Sequence, residues 1–143
     1  MRIEQVHLGD ESGRRFTWCW GWVAVDCADN TAVGIVVAHK VTAEQTAGKF
    51  QPFAVVKMVY ARRHSGLGVR LLEEARDKLA ATPWALHRSG HSTPKGRTAC
   101  LKANLPLDPR INTAESLDVD VAVDGGREYL RRAAERLGVD VIA

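Results

Sequence analysis

The stretch Phe53-Ala54-Val55-Val56-Lys57-Met58-Val59-Tyr60, leading through Arg63-His64-Ser65-Gly66-Leu67-Gly68 into a helical pattern from Val69 to Ala81, constrains the fold more than any other part of the chain. A strand that turns through glycines into a helix is the first half of a β-α-β unit, and the right-handed crossover makes the next strand parallel to it. Helix spacing is clean: Gly68, Leu71, Leu72, Ala75 and Leu79 share one side, while Arg70, Glu73, Glu74, Asp77 and Lys78 lie mainly elsewhere. Thr82-Pro83 stops the helix, because a proline disfavours helical geometry in the residue before it. Trp84 to Ser89 is the expected return strand.

The turn itself has a chemistry. The first N–H groups of a helix have no partner within it, and the helix dipole places partial positive charge there, so a phosphate is the natural guest. Gly66 and Gly68 are expected to let the backbone come close to that guest, since a Cβ at either position would hold it off. Two better-known phosphate loops do not fit. A dinucleotide fingerprint would need glycine where Leu71 stands, and no G-K-[ST] is present.

Around this unit the pattern is strand-rich. Arg2 to Leu8 reads as a short strand, and Gly9-Asp10-Glu11-Ser12-Gly13 as a polar turn. Phe16, Trp18, Trp20 and Trp22 then recur at period two, which puts four rings on one strand face, expected to be core under a helix layer. Ala28-Asp29-Asn30-Thr31 supplies turn chemistry before a returning strand from Ala32 to Val41, and residues 42 to 51 read as a loop. Ser92-Thr93-Pro94 is a helix start, with a hydroxyl cap and proline in the first turn, for a helix from Pro94 to Ala103. Leu107 to Glu115 is a connection. A strand over Leu117 to Val123, a helix from Arg127 to Leu137 and a terminal strand around Val139 to Ile142 complete the expectation. The class is α/β (α+β): a mixed central sheet, with antiparallel strands first and a β-α-β core after them.

A chain of 143 residues fits one domain, 1–143. The tryptophan-rich stretch from Phe16 to Val25 is too short to span a bilayer and ends at Asp26, and Met1 opens no charged-then-apolar leader, so a soluble cytoplasmic protein is expected. Cys19, Cys27 and Cys100 leave one over and have no C-x-x-C spacing, which argues against a disulfide framework. The net charge of +3 is mild, but between His87 and Arg110 the basic Arg88, Lys95, Arg97, Lys102 and Arg110 face one acid, Asp108. Such a stretch suits an acidic coenzyme or a polyanionic acceptor as well as a plain solvated face.

The run from Met58 to Ala75, with its R-x-x-G-x-G loop Arg63-His64-Ser65-Gly66-Leu67-Gly68, resembles the strand, loop and helix of the GCN5-related N-acetyltransferase superfamily. The resemblance implies a domain in which a central strand splays from its neighbour and carries the coenzyme A arm on its exposed backbone. It implies acetyl-CoA, or another acyl-CoA, as co-substrate, and transfer of the acyl group to an amine. Carried onto this chain, Met58, Val59, Tyr60 and Ala61 align the pantetheine, and Arg63, His64, Ser65, Gly66, Leu67, Gly68 and Val69 hold the diphosphate. A backbone N–H near Val59 or Tyr60 polarises the thioester carbonyl. Element order agrees with the family from about Trp18 to Leu101. Two departures stand out. Only Gly9 to Arg15 lies where the family places helices between its first two strands, which leaves the acceptor side open to a bulky acceptor or a partner chain. The tail from Leu117 reads strand-helix-strand, an atypical ending that also admits strand exchange in a homodimer.

Acyl transfer to an amine needs a deprotonated amine, a polarised carbonyl and a proton for the leaving thiolate. The family's usual carboxylate base is missing, since no Asp or Glu lies between Phe50 and Tyr60, and its usual tyrosine acid is missing from Thr98-Ala99-Cys100-Leu101-Lys102. His87, Ser89 and His91 are the catalytic substitutes near the return strand, with His39 at the end of the third strand. A metal set of His87, His91 and Cys100 lacks metal-ligand spacing. Three readings follow: a coenzyme A-dependent N-acyltransferase acting on a protein, small-molecule or nucleic-acid amine; a nucleic-acid-binding or DNA base-modifying protein on the same fold; and a coenzyme A-binding module without catalysis.

Overall fold

The computed structural model describes residues 1–10, 18–90, 92–111 and 124–143. Among them the chain forms β1 (Arg2–Asp10), β2 (Trp18–Asp26), β3 (Thr31–Val41), β4 (Phe53–Ala61), α1 (Leu67–Ala80), β5 (Leu86–His87), α2 (Pro94–Lys102), α3 (Asp124–Leu137) and β6 (Asp140–Val141). The result is a mixed α/β architecture, an open six-stranded sheet with three helices. The order is β1-β2-β3-β4-β5, with β6 paired to β3. The first four strands run antiparallel to their neighbours, whereas β5 lies parallel to β4 and β6 parallel to β3.

Alternation along the strands explains both faces. Trp20, Trp22, Ala24, Val33, Val36, Ala38, Ala54 and Val56 point to one side, and α1 seals them with Leu67, Leu71, Leu72, Ala75 and Leu79. Trp22 is 1% exposed, so the expectation of a core under a helix holds for Trp20 and Trp22; Phe16 and the side chain of Trp18 lie outside the described residues. On the other face Val6, Leu8, Cys19, Val23, Val25, Ile35 and Val37 meet Leu130, Ala133 and Ala134 of α3.

The structure differs from the sequence reading in a few elements. Strand β5 pairs over only Leu86–His87: before it Trp84 packs edge-on against Trp20, 6.1 Å between centroids, with the Lys40 ammonium over both rings, and after it Arg88 exchanges backbone hydrogen bonds with Pro106 and Asp108. Residues Glu44–Thr46 form a single 3-10 turn where a loop is expected. Its cause is a reciprocal cap, with the Thr42 amide donating to Gln45 Oε1 and the Gln45 amide to Thr42 Oγ1. The expected strand over Leu117 to Val123 lies outside the described residues. The tail after α3 returns to its own sheet, β6 lying against Thr31 and Ala32 of β3. No helix among the described residues is long and apolar enough to cross a membrane.

Candidate functional site

Strand β4 is the element on which the site is built. It pairs with β5 at Ala54–Leu86 and Val55–His87, and there the pairing ends, although β4 runs on to Ala61. A bulge opposite Val37 and Ala38 falls at the same place and turns the strand. Burial follows: Phe53 to Val56 are buried, Lys57 is exposed, and Met58 to Ala61 are half-buried. Among the described residues nothing pairs with that edge of β4 from Lys57 to Ala61, a length of roughly 17 Å at a strand rise of about 3.3 Å per residue.

The register fixes which amides face that opening. Arg62 donates its amide to the Val33 carbonyl, and the pairs Tyr60–Ile35 and Met58–Val37 lie in step with it. By alternation the amides of Met58 and Tyr60 point to β3, and those of Val59 and Ala61 point into the opening. Of the two amides expected to reach a carbonyl, Val59 is directed to do so and Tyr60 is not.

At the far end of this edge stands the elbow. Gly66 adopts φ 75° and is the N-cap of α1, and no side chain among the described residues caps the helix. The Leu67 amide turns back to the His64 carbonyl, and Arg70 makes the first helical bond, to Gly66. The amides of Gly68 and Val69 thus belong to the uncapped first turn. An open depression of about 370 Å³ lies here, lined by Met1, His64, Ser65, Gly66, Leu67 and Arg70. The two glycines differ. A Cβ on Gly66 would meet open space, but one on Gly68 would point 3.2 Å from Val59 Cγ1. A Cβ at Gly68 would press on β4 through Val59, whereas one at Gly66 would not.

Arg63 is placed away from the first turn. Its backbone is left-handed (φ 68°), and its Nη1 reaches Asp29 Oδ2 at 2.9 Å and Asp26 Oδ2 at 3.2 Å, both at the β2–β3 turn. His64 Nε2 lies 3.6 Å from Asp26 Oδ2. The Ala28 amide, against the opposing effect of burial, and then Arg63 and His64 hold the Asp26 carboxyl below the usual range.

At the near end, beside the point where β4 and β5 part, a polar group occupies the sheet face away from α1. His87 packs edge-on against Phe53, 5.3 Å between centroids, and its Nδ1 lies 2.8 Å from the Ala85 carbonyl. A carbonyl only accepts, so in that contact Nδ1 is the donor. Arg110 lies over the other side of this aromatic group, 5.4 Å from the Phe53 centroid, and grips Asp108 through Nε and Nη2. Asp108 is 3% exposed. Burial opposes its ionisation, but Arg110's side chain, amide and charge, with His87 adding to them, leave the carboxyl below the usual range. His39 shares this face, opposite Val55 on β3, with Nδ1 buried and unpartnered. Burial lowers its pKa, Lys57 and Arg110 push the same way, and Asp108 offsets part of the effect.

Of the substitutes named from sequence, His87 stands at the parting of the strands, Ser89 follows just beyond the Arg88–Leu107 bridge, and His91 lies outside the described residues. Thr93 is spent as a cap, its Oγ1 accepting from the Gly96 amide at 3.1 Å. Cys100 sits under α1 on the opposite face from His87, and burial pushes its thiol up to about 11, so it supplies no thiolate at neutral pH. The pair Asp108–Arg110 and the clamp Arg63–Asp26–Asp29 were not singled out in the sequence; each joins charges whose proximity is set by the turns around them. Comparison with protein-family models, with curated proteins and with solved structures gives no match for the chain.

Proposed function

We propose that the protein is a coenzyme A-dependent N-acyltransferase of the GCN5-related type. The observation that supports this reading is the parting of β4 from β5 after Val55–His87, which among the described residues leaves a strand edge unpaired from the start of α1, where no described side chain caps the helix, to a histidine. A diphosphate at the first turn of α1 would let a pantetheine arm, whose two amides resemble peptide units, run along that edge. The thioester would then arrive near the parting, with the Val59 amide directed into the opening. In the reaction, the amine nitrogen bonds to the acyl carbon, the carbonyl electrons move to oxygen and return, and the carbon–sulfur bond breaks. His87 Nε2 accepts the proton that the amine loses; the thiolate takes one from solvent or from the same imidazole.

Two other readings have less support. The basic stretch as a nucleic-acid face loses the charge of Arg110, which is committed to Asp108. A binding module without catalysis differs only in turnover. The test is thermal unfolding with and without saturating acetyl-CoA, followed by an amine panel. Acetyl-CoA is expected to raise the melting temperature, and Gly66→Asp to abolish the shift while still unfolding cooperatively. An unshifted wild-type curve would overturn the proposal.

A further inference from the structure

Both arginines of the elbow are turned onto the protein itself. Arg62 lies over the Tyr60 ring at 4.2 Å and donates from Nη1 to the Ala61 carbonyl at 2.9 Å, covering the far end of the open edge of β4. Arg63 turns the other way and gives its guanidinium to Asp26 and Asp29. Asp26 is fixed in turn by the Ala28 amide, so the carboxylate cannot follow the guanidinium outward. Two carboxylates meet one guanidinium here, with His64 Nε2 also 3.6 Å from Asp26 Oδ2. A planar guanidinium binds carboxylate and phosphate through the same fork of donors. The Arg63 side chain is 35% exposed, so a dissolved anion can reach the guanidinium.

We propose that Asp26 and Asp29 are an anionic gate on the coenzyme site: they occupy Arg63 in the free protein, and an incoming diphosphate binds by taking the guanidinium from them. The inference rests on the acyl-coenzyme A reading above. Its consequence is regulatory. Affinity is set by competition between an internal and an external anion, and by reciprocity the bound ligand loosens the link between the elbow and the β2–β3 turn.

Calorimetric titration of the full chain with coenzyme A tests the gate, comparing wild type with Asp26→Asn/Asp29→Asn. Asparagine keeps the oxygen that accepts from Ala28, so the turn is retained. The double variant is expected to bind roughly fivefold more tightly, as loss of two exposed ion pairs allows. Glu73→Gln/Asp77→Asn makes the same change in net charge on α1 and is expected to stay within about twofold of wild type, because solvent screens distant charges. In the wild type, the Asp29 side-chain carboxyl carbon resonance should move on saturation with coenzyme A. Equal or weaker binding by the aspartate variant, an equal gain in the α1 variant, or an unmoved resonance overturns the gate alone. Absence of coenzyme A binding by both wild type and variant removes the acyl-coenzyme A reading, and the gate with it.

Discussion

A Cβ on Gly66 would stand in open space, whereas one on Gly68 would lie 3.2 Å from Val59 Cγ1. The two positions therefore separate conformation from packing. Gly66 sits at φ 75°, where a side chain costs about 1 kcal/mol, so Gly66→Ala is expected to lower stability by about that much. Gly68 lies inside the first turn of α1, where alanine gains about 1 kcal/mol of helix propensity and loses a comparable amount by pressing on Val59. Gly68→Ala should remain within about 0.5 kcal/mol of wild type, with urea midpoints as the measure. Its acetyl-CoA shift should also survive, because the new methyl points at β4. A lost shift in a stable Gly68→Ala protein would return Gly68 to the role that the loop pattern suggested.

At the scale of elements, β4 is a strand with two different edges. Past the bulge, Tyr60 spends its amide on β3 while Val59 directs its own into the opening. Proline lacks that donor and is tolerated in sheets only where the donor is not used by the ladder. Val59→Pro should therefore keep a cooperative fold, at a cost in melting temperature, and lose the acetyl-CoA shift, whereas Tyr60→Pro should fail to fold; circular dichroism melts with and without ligand decide it. A preserved shift in Val59→Pro would mean the ligand does not use this edge. The strand, elbow and helix were legible in the sequence because apolar alternation and helix spacing are local, although α1 runs Leu67–Ala80, starting two residues before the expected Val69. The short β5 was not, because its limits go with contacts distant in sequence, Trp84 with Trp20 and Lys40 on one side and Arg88 with Pro106 and Asp108 on the other. The turn at Glu44–Thr46 carried a signal in Thr42 and Gln45 that a reading by polarity alone passes over. The clamp on Arg63 was illegible for a different reason: its partners lie 37 and 34 residues earlier and meet it only once β2, β3 and β4 are side by side.

Across the whole molecule, the face away from α1 gathers charged and titratable groups from separate elements, and two of them, His39 and Asp108, act on stability in the same direction. His39 comes from β3, Lys57 from β4, and Asp108 and Arg110 from the connection after α2. Burial first, then Lys57 and Arg110, depress the His39 pKa, so between its folded and unfolded values the unfolded chain binds more protons. Stability from this group is thus present above the unfolded value of about 6.5 and lost as pH falls through the lower folded one. Asp108 adds a second, more acid leg. Its folded pKa is also depressed, so its contribution is present above about 3.9 and lost as pH falls through the folded value. Urea midpoints should accordingly fall as pH is lowered from about 7, with a slope of at most about 1.4 kcal/mol per pH unit from His39. His39→Gln is expected to flatten that leg and leave the more acid one, while Asp108→Asn should remove the latter. If His39→Gln left the slope just below about pH 6.5 unchanged, the buried imidazole would not be the group that titrates there, and the electropositive surroundings assigned to this face would have to come from a different set of charges.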